Sequence, residues 1–311
     1  MPLPPPPPGS TPPKPAAPLP GKPAALPPRA APVAKGKREP KTFSVSTFAA
    51  DNEGEKLCVY GPSGIGKSTV AASAPNVVFI SADDGARRIL HPQTNQPLNQ
   101  VPGVECWEDV RDALQQDGLF PTGCTIVVDT LTKLEEWIQD YCVRTMKVKG
   151  QTVDSFRKFG WDGADLIVEQ FRLLMTDLDR HVRKGTNVIL LAQQGQIKRS
   201  AADSADYLED GPFISHSNRA SAREEIKQWC DHVFRIGYAE YDVTKAEGER
   251  AGKVTQDDTT RVIFTSGSLS YTAKTRRLKD GFKLPPIVSF AEEGDSSLWS
   301  FLFHGYRPEE A

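Results

Sequence analysis

Residues 61 to 68 read Gly-Pro-Ser-Gly-Ile-Gly-Lys-Ser, a full match to G-x-x-x-x-G-K-[ST], and they follow the apolar run KLCVY without a break. Successive backbone N–H groups in such a loop turn inward around an anion, and Gly61, Gly64 and Gly66 carry no side chain to obstruct its approach. Lys67 then brings an ammonium to the β and γ phosphates of a nucleoside triphosphate, and the Ser68 hydroxyl is a ligand for Mg²⁺. Pro62, Ser63, Ile65 and Thr69 complete the stretch that would line the nucleotide. Residues 67–73 read as a short helix whose N-terminus favours the anion, and Pro75 ends it. A chance glycine-rich turn is the competing explanation; the strand before the loop and the helix after it speak against that.

Other polar residues stand at the ends of apolar runs, where an α/β sheet collects its ligands. TIVVD ends in Asp129, placed to hold the Mg²⁺ shell beside Ser68. VVFI runs into SADDG, bringing Asp83 and Asp84 to the same edge, where one of them could orient or deprotonate an attacking water. A capped turn before Ala86 is the plainer account of that pair. NVILLA ends in Gln193 and Gln194, amides able to meet a γ-phosphate and relay its presence along the chain.

These residues need a frame. KLCVY (56–60), NVVFI (76–80), CTIVVD (124–129) and NVILLA (187–192) are apolar on both faces, as buried parallel strands are. Leu166, Ile167, Phe171, Leu174, Leu178 and Val182 recur at helical spacing and predict a helix over 165–184. The alternation predicts an α/β fold with a mainly parallel sheet flanked by helices. Further strands are expected over 231–243 and 261–267.

Two long connections leave the ligand edge. Residues 146–163 interleave Lys147, Lys149, Arg157 and Lys158 with Phe156, Phe159 and Trp161, a mixture suited to phosphates and bases of a single strand. Alternatively, Phe159 and Trp161 anchor the next helix in the core. Residues 195–223 read as a long polar loop carrying Lys198, Arg199, Arg219 and Arg223, diluted by Asp203, Asp206, Glu209 and Asp210. The aromatic segment SSLWSFLFHGYRPEEA is expected to pack onto the domain or a neighbour.

Across 311 residues, 38 basic side chains meet 40 acidic ones, so any nucleic-acid surface must be local. Residues 1–42 are dominated by Pro and Ala, with seven Lys or Arg against Glu39 alone. They predict a basic, disordered tail with no signal-peptide core. Five cysteines without a C-x-x-C pair suit a reduced, cytoplasmic setting. No run reaches the ~20 apolar residues of a membrane span.

The segments YGPSGIGKST, VVFISADDG, TIVVDTLTKL, NVILLAQQ, QWCDHVFRIGY and AKTRR together resemble the RecA-like ATPases carried by bacteriophages. The likeness is to the AAA_24 type, which includes Sak4-type single-strand annealing proteins, and it runs over residues 56 to 285. It implies a RecA-like ATPase domain over 43–290, between the tail at 1–42 and an aromatic C-terminal tail at 291–311. In that family the acid two residues beyond the second strand is a Glu acting as base. Asp83 occupies that register one methylene shorter, with Asp84 as alternative. Gln193 matches the amide that links the γ-phosphate to DNA-facing loops, here 146–163 and 195–223. Lys274 and Arg276 resemble a K-x-R element that reaches the ATP site of the adjacent subunit. The resemblance implies ATP and Mg²⁺ as cofactors and single-stranded DNA as partner. It also implies a homo-oligomeric ring or filament, the host cytoplasm as location, and a single-strand binding protein as an associate. Two other readings stay open: a nucleotide-gated DNA-binding scaffold with little turnover, motivated by Asp83, and a small-molecule P-loop kinase.

Overall fold

The computed structural model describes residues 1, 53–83, 88–200, 206–244, 253–276, 278, 283–290, 295 and 297–303, with the backbone alone for 240–244 and 253–259. From residue 53 on they belong to one unit, Phe48–Ala311. Residues 2–42 of the expected tail, Asp84, Asp203 and Arg277 lie outside the described residues.

The chain opens with β1 (Lys56–Gly61), α1 (Lys67–Ala72), β2 (Val77–Ser81) and β3 (Asn99–Gln100). Then come α2 (Trp107–Gln115), β4 (Thr125–Asp129), α3 (Leu131–Thr145) and a small hairpin of β5 (Lys147–Val148) and β6 (Gln151–Thr152). A 3₁₀ turn at Phe156–Phe159 leads into α4 (Asp162–Val182), β7 (Asn187–Arg199), β8 (Tyr207–Pro212) and α5 (Ala222–Trp229). β9 (His232–Thr244), β10 (Lys253–Phe264), β11 (Lys274–Thr275), β12 (Ile287–Ser289) and α6 (Ser297–Leu302) close the fold.

The main sheet has the order β12-β10-β9-β1-β7-β4-β2-β3, with β11 paired to β9 and β8 to β7. It is parallel from β9 to β3, as the doubly apolar runs predict, while β12, β10, β11 and β8 pair antiparallel. Alternate residues of each strand feed opposite faces. Leu57, Val59, Val127, Ile189 and Leu191 pack with α1 and α6, whereas Cys58, Tyr60, Ile126, Val128 and Leu190 pack with α2, α3, α4 and α5. Cys58 and Cys124 are buried, and all five cysteines are free thiols. Among the described residues no helix is long and apolar enough to cross a membrane.

The fold departs from the sequence expectation in two places and meets it in a third. β7 does not stop at Ala192 but runs on to Arg199, and β8 pairs back along it from Pro212 opposite Gln194 to Tyr207 opposite Arg199. Much of the region expected as a long loop is therefore a hairpin, and α5 begins within its other end. In the 146–163 segment, Phe159 is buried and Phe156 packs on the core, while Trp161 is 80% exposed. The C-terminal aromatics join the domain: Trp299 is buried and its indole N–H donates to Val70 O at 3.1 Å and to Ser73 Oγ at 2.9 Å.

Candidate active site

β1 delivers the chain into the glycine-rich loop, and Gly66 caps α1 with φ 106°, a conformation that side chains with a Cβ rarely adopt. The helix starts at once, Val70 N–H donating to Gly66 O at 2.9 Å. Lys67 is therefore fixed at the first helical residue and is buried. Its Nζ donates to Gly61 O at 3.0 Å, to Pro62 O at 2.8 Å and to Gln193 Oε1 at 3.0 Å.

Three neighbouring strands converge here. β7 lies between β1 and β4, with Gln193 in register with Gly61 and Leu191 opposite Asp129. Asp129 ends β4, and the Asp129–Thr130 peptide is cis. Thr130 then caps α3, its hydroxyl accepting from Lys133 N–H at 3.2 Å. Ser68 Oγ donates to Asp129 Oδ2 at 2.7 Å. These groups line a cleft of about 290 Å³ together with Ser63, Gly64 and Asp83.

The electrostatics suit a phosphate–cation pair. Burial pulls the Lys67 ammonium below its ordinary pKa, with Asp129 opposing. Burial likewise pushes the Asp129 carboxyl up, against the Ser68 hydrogen bond and with the nearby Asp83 charge adding to the rise. Each charge is poorly solvated, so a phosphate at Lys67 and a hard cation at Asp129 and Ser68 would relieve both. A hydroxyl and a carboxylate are the hard oxygen donors that Mg²⁺ takes beside phosphates.

The structure thus brings together Lys67, Ser68, Asp83, Asp129 and Gln193. It does not bring Lys274 or Arg276 to this chain's own cleft. Lys274 pairs opposite Val233 on β9, and Thr275 lies opposite His232, which is level with Leu57 at the start of β1. Arg276, one residue further toward that opposite edge of the sheet, pairs with Asp231 at 2.8 Å and with Gln228 O at 2.9 Å.

The cations expected at nucleic acid lie away from the cleft. Lys147, Lys149 and Arg157 are exposed. Lys158 pairs with Asp154, Lys198 with Asp206, and Arg219 with Asp165 and Asp162. Such exposed pairs contribute about 0–1 kcal/mol. Arg199 is placed differently, bonded to Glu209 at 2.7 Å and Glu224 at 2.9 Å, where it ties the hairpin to α5.

Two further contacts escaped the sequence reading. Thr132 Oγ1 accepts from Gln193 N–H at 3.1 Å and donates to Phe213 O at 2.9 Å. Its only signal was a hydroxyl in the TLTKL run after Asp129. Arg261 stacks on Phe290 at 5.0 Å and backs the phosphate loop, so a Cβ at Gly66 would stand 3.0 Å from its Nη1. Nothing local marks that contact, because β10 is almost two hundred residues away from the loop.

A parallel α/β sheet with a complete phosphate loop on one strand defines a P-loop nucleotide-binding protein. The acid two strands away and the amide between them complete that definition. The profile of the AAA domain family AAA_24 matches residues 53–277, and the chain belongs to that family of P-loop ATPases. A search of curated proteins found no match.

Proposed function

We propose that this protein is a single-stranded-DNA-dependent ATPase of phage DNA recombination. It promotes annealing or strand pairing as a ring or filament with ATP and Mg²⁺ at its subunit interfaces. The observation that carries the reading is the triple engagement of Lys67. Its three ammonium donors are taken by two loop carbonyls and by Gln193 Oε1. A phosphate oxygen reaching Lys67 must replace one of these acceptors, and Gln193 is the side chain among them. Gln193 also sits on the strand that continues into the β7–β8 hairpin, so its release is felt there.

In this reading Lys67 neutralises the transferring phosphoryl charge, Ser68 and Asp129 hold Mg²⁺, and Asp83 orients or deprotonates the attacking water. Lys274 and Arg276 lie on the opposite sheet edge from their own loop, which suits service to the next subunit. The recombination setting rests on the motif resemblance to phage RecA-like proteins, and a single-strand binding protein is the associate that resemblance favours. Turnover measured with and without single-stranded oligonucleotide, at low and high protein concentration, tests the proposal. Stimulation by DNA that grows with protein concentration is expected. Equal turnover in all four conditions contradicts it, and nucleotide binding without turnover replaces it with a nucleotide-gated scaffold.

A further inference from the structure

A second cleft, of about 400 Å³, opens between the base of the β7–β8 hairpin and the first turns of α3. Phe213 lines it and is 60% exposed. The ring is seated on the backbone of β7: a Cβ at Gly195 would stand 2.6 Å from Phe213 Cδ2, so any larger residue there would displace it. The glycine leaves the aromatic surface supported from below and open to solvent.

The walls set polar groups beside the apolar Ile197, Pro212 and Ile214. Thr132, Glu135 and Gln139 come from α3, Gln196 from β7 and Arg223 from α5. Arg223 is 1% exposed, yet its Nε has no hydrogen-bond partner and its Nη2 makes one long bond, 3.5 Å to Glu209 O. A guanidinium carries five donors, and leaving such donors unmet in the interior is costly. Glu135 is held facing Ser215, whose backbone N–H donates to Oε2 at 2.7 Å. An unstacked nucleobase finds an aromatic surface for its ring face and donors and acceptors for its edge.

The cleft is wired to the nucleotide site by hydrogen bonds. Phe213 N–H donates to Gln193 O at 2.7 Å, and Thr132 Oγ1 bridges Phe213 O to Gln193 N–H. Gln193 Oε1 accepts from Lys67. We infer that this cleft takes one base of the bound single strand, stacked on Phe213. The inference rests on the single-stranded-DNA reading above and adds to it a defined base subsite.

Fluorescence anisotropy with a labelled oligothymidylate, and with an abasic strand of equal length, tests it. Phe213→Ala is expected to weaken oligothymidylate binding on the order of tenfold. Phe213→Tyr should keep the affinity, and on the abasic strand wild type and Phe213→Ala should bind alike. Phe213→Leu keeps apolar bulk without the aromatic face, so it decides the matter should the alanine variant melt early; it too should bind like alanine. Unchanged affinity of both variants for oligothymidylate, or an equal loss on the abasic strand, overturns the base subsite while single-strand binding stands. A wild-type protein that binds no single strand overturns both.

Discussion

Lys67 Nζ bonds Gly61 O, Pro62 O and Gln193 Oε1 together, so Lys67→Ala should abolish ATP hydrolysis, a loss of at least about a hundredfold. Unchanged turnover would remove the central claim. Asp129 gives a prediction of opposite sign for stability and function. Its carboxyl is raised above the ordinary 3.8, chiefly by burial. The folded protein therefore holds that proton more tightly than the unfolded chain, and ionisation weighs against folding as pH rises through the raised value. Asp129→Asn keeps an oxygen to accept the Ser68 bond and removes the charge. It should melt above wild type at neutral pH, with the margin closing as pH falls from the raised value towards 3.8, while turnover is lost. Equal melting temperatures at neutral pH would contradict the burial argument. The chemistry of these residues was legible in the sequence because each stands in a local pattern: Lys67 and Ser68 in the loop, Asp129 and Gln193 at the ends of apolar runs. The Thr132–Phe213 relay was not, because the Thr132 hydroxyl meets a residue 81 positions away through a backbone carbonyl that every residue possesses.

At the scale of elements, the parallel strands were legible because burial on both faces leaves an unbroken apolar run. The second half of β7, GQIKR, carries no such run and gains its strand conformation from β8. Backbone pairing and the Gln196–Asp210 and Arg199–Glu209 contacts hold it there. Helix α6 is a different case: six residues cannot be stable alone, and its place is set by tertiary packing on α1. Trp299 is fully buried, stacked on Phe303 at 5.1 Å and bonded to the carboxyl end of the helix that carries Lys67. Trp299→Ala should cost about 3–5 kcal/mol of unfolding free energy. Trp299→Phe, which loses the indole N–H but keeps an aromatic ring, should cost about 1–2 kcal/mol. Denaturant midpoints read both. Because α1 begins at the phosphate loop, the alanine variant should also bind ATP more weakly than the phenylalanine variant. A midpoint unmoved by Trp299→Ala would mean that α6 is not part of the cooperative unit.

At the scale of the molecule, the sheet separates two edges: Lys67 at the carboxyl end of β1, and Arg276 near its start, beyond the residue level with Leu57. On the proposed reading Arg276 would serve the site of a head-to-tail neighbour, and a heterologous interface of that kind builds rings or filaments. Arg276→Ala should lower turnover while leaving ATP affinity nearly intact. Its side chain is 55% exposed, so the lost Asp231 pair should alter stability by less than about 1 kcal/mol. Mixing then distinguishes a trans role from a structural one. In oligomers assembled from equal amounts of Lys67→Ala and Arg276→Ala chains, about a quarter of the interfaces should join an intact Lys67 to an intact Arg276. Each variant alone should be nearly inactive, and the mixture should recover turnover to a comparable fraction of wild type, rising with total protein concentration. A mixture no more active than the average of its components would place Arg276 outside the catalytic interface and return its role to holding the Asp231 end of the sheet.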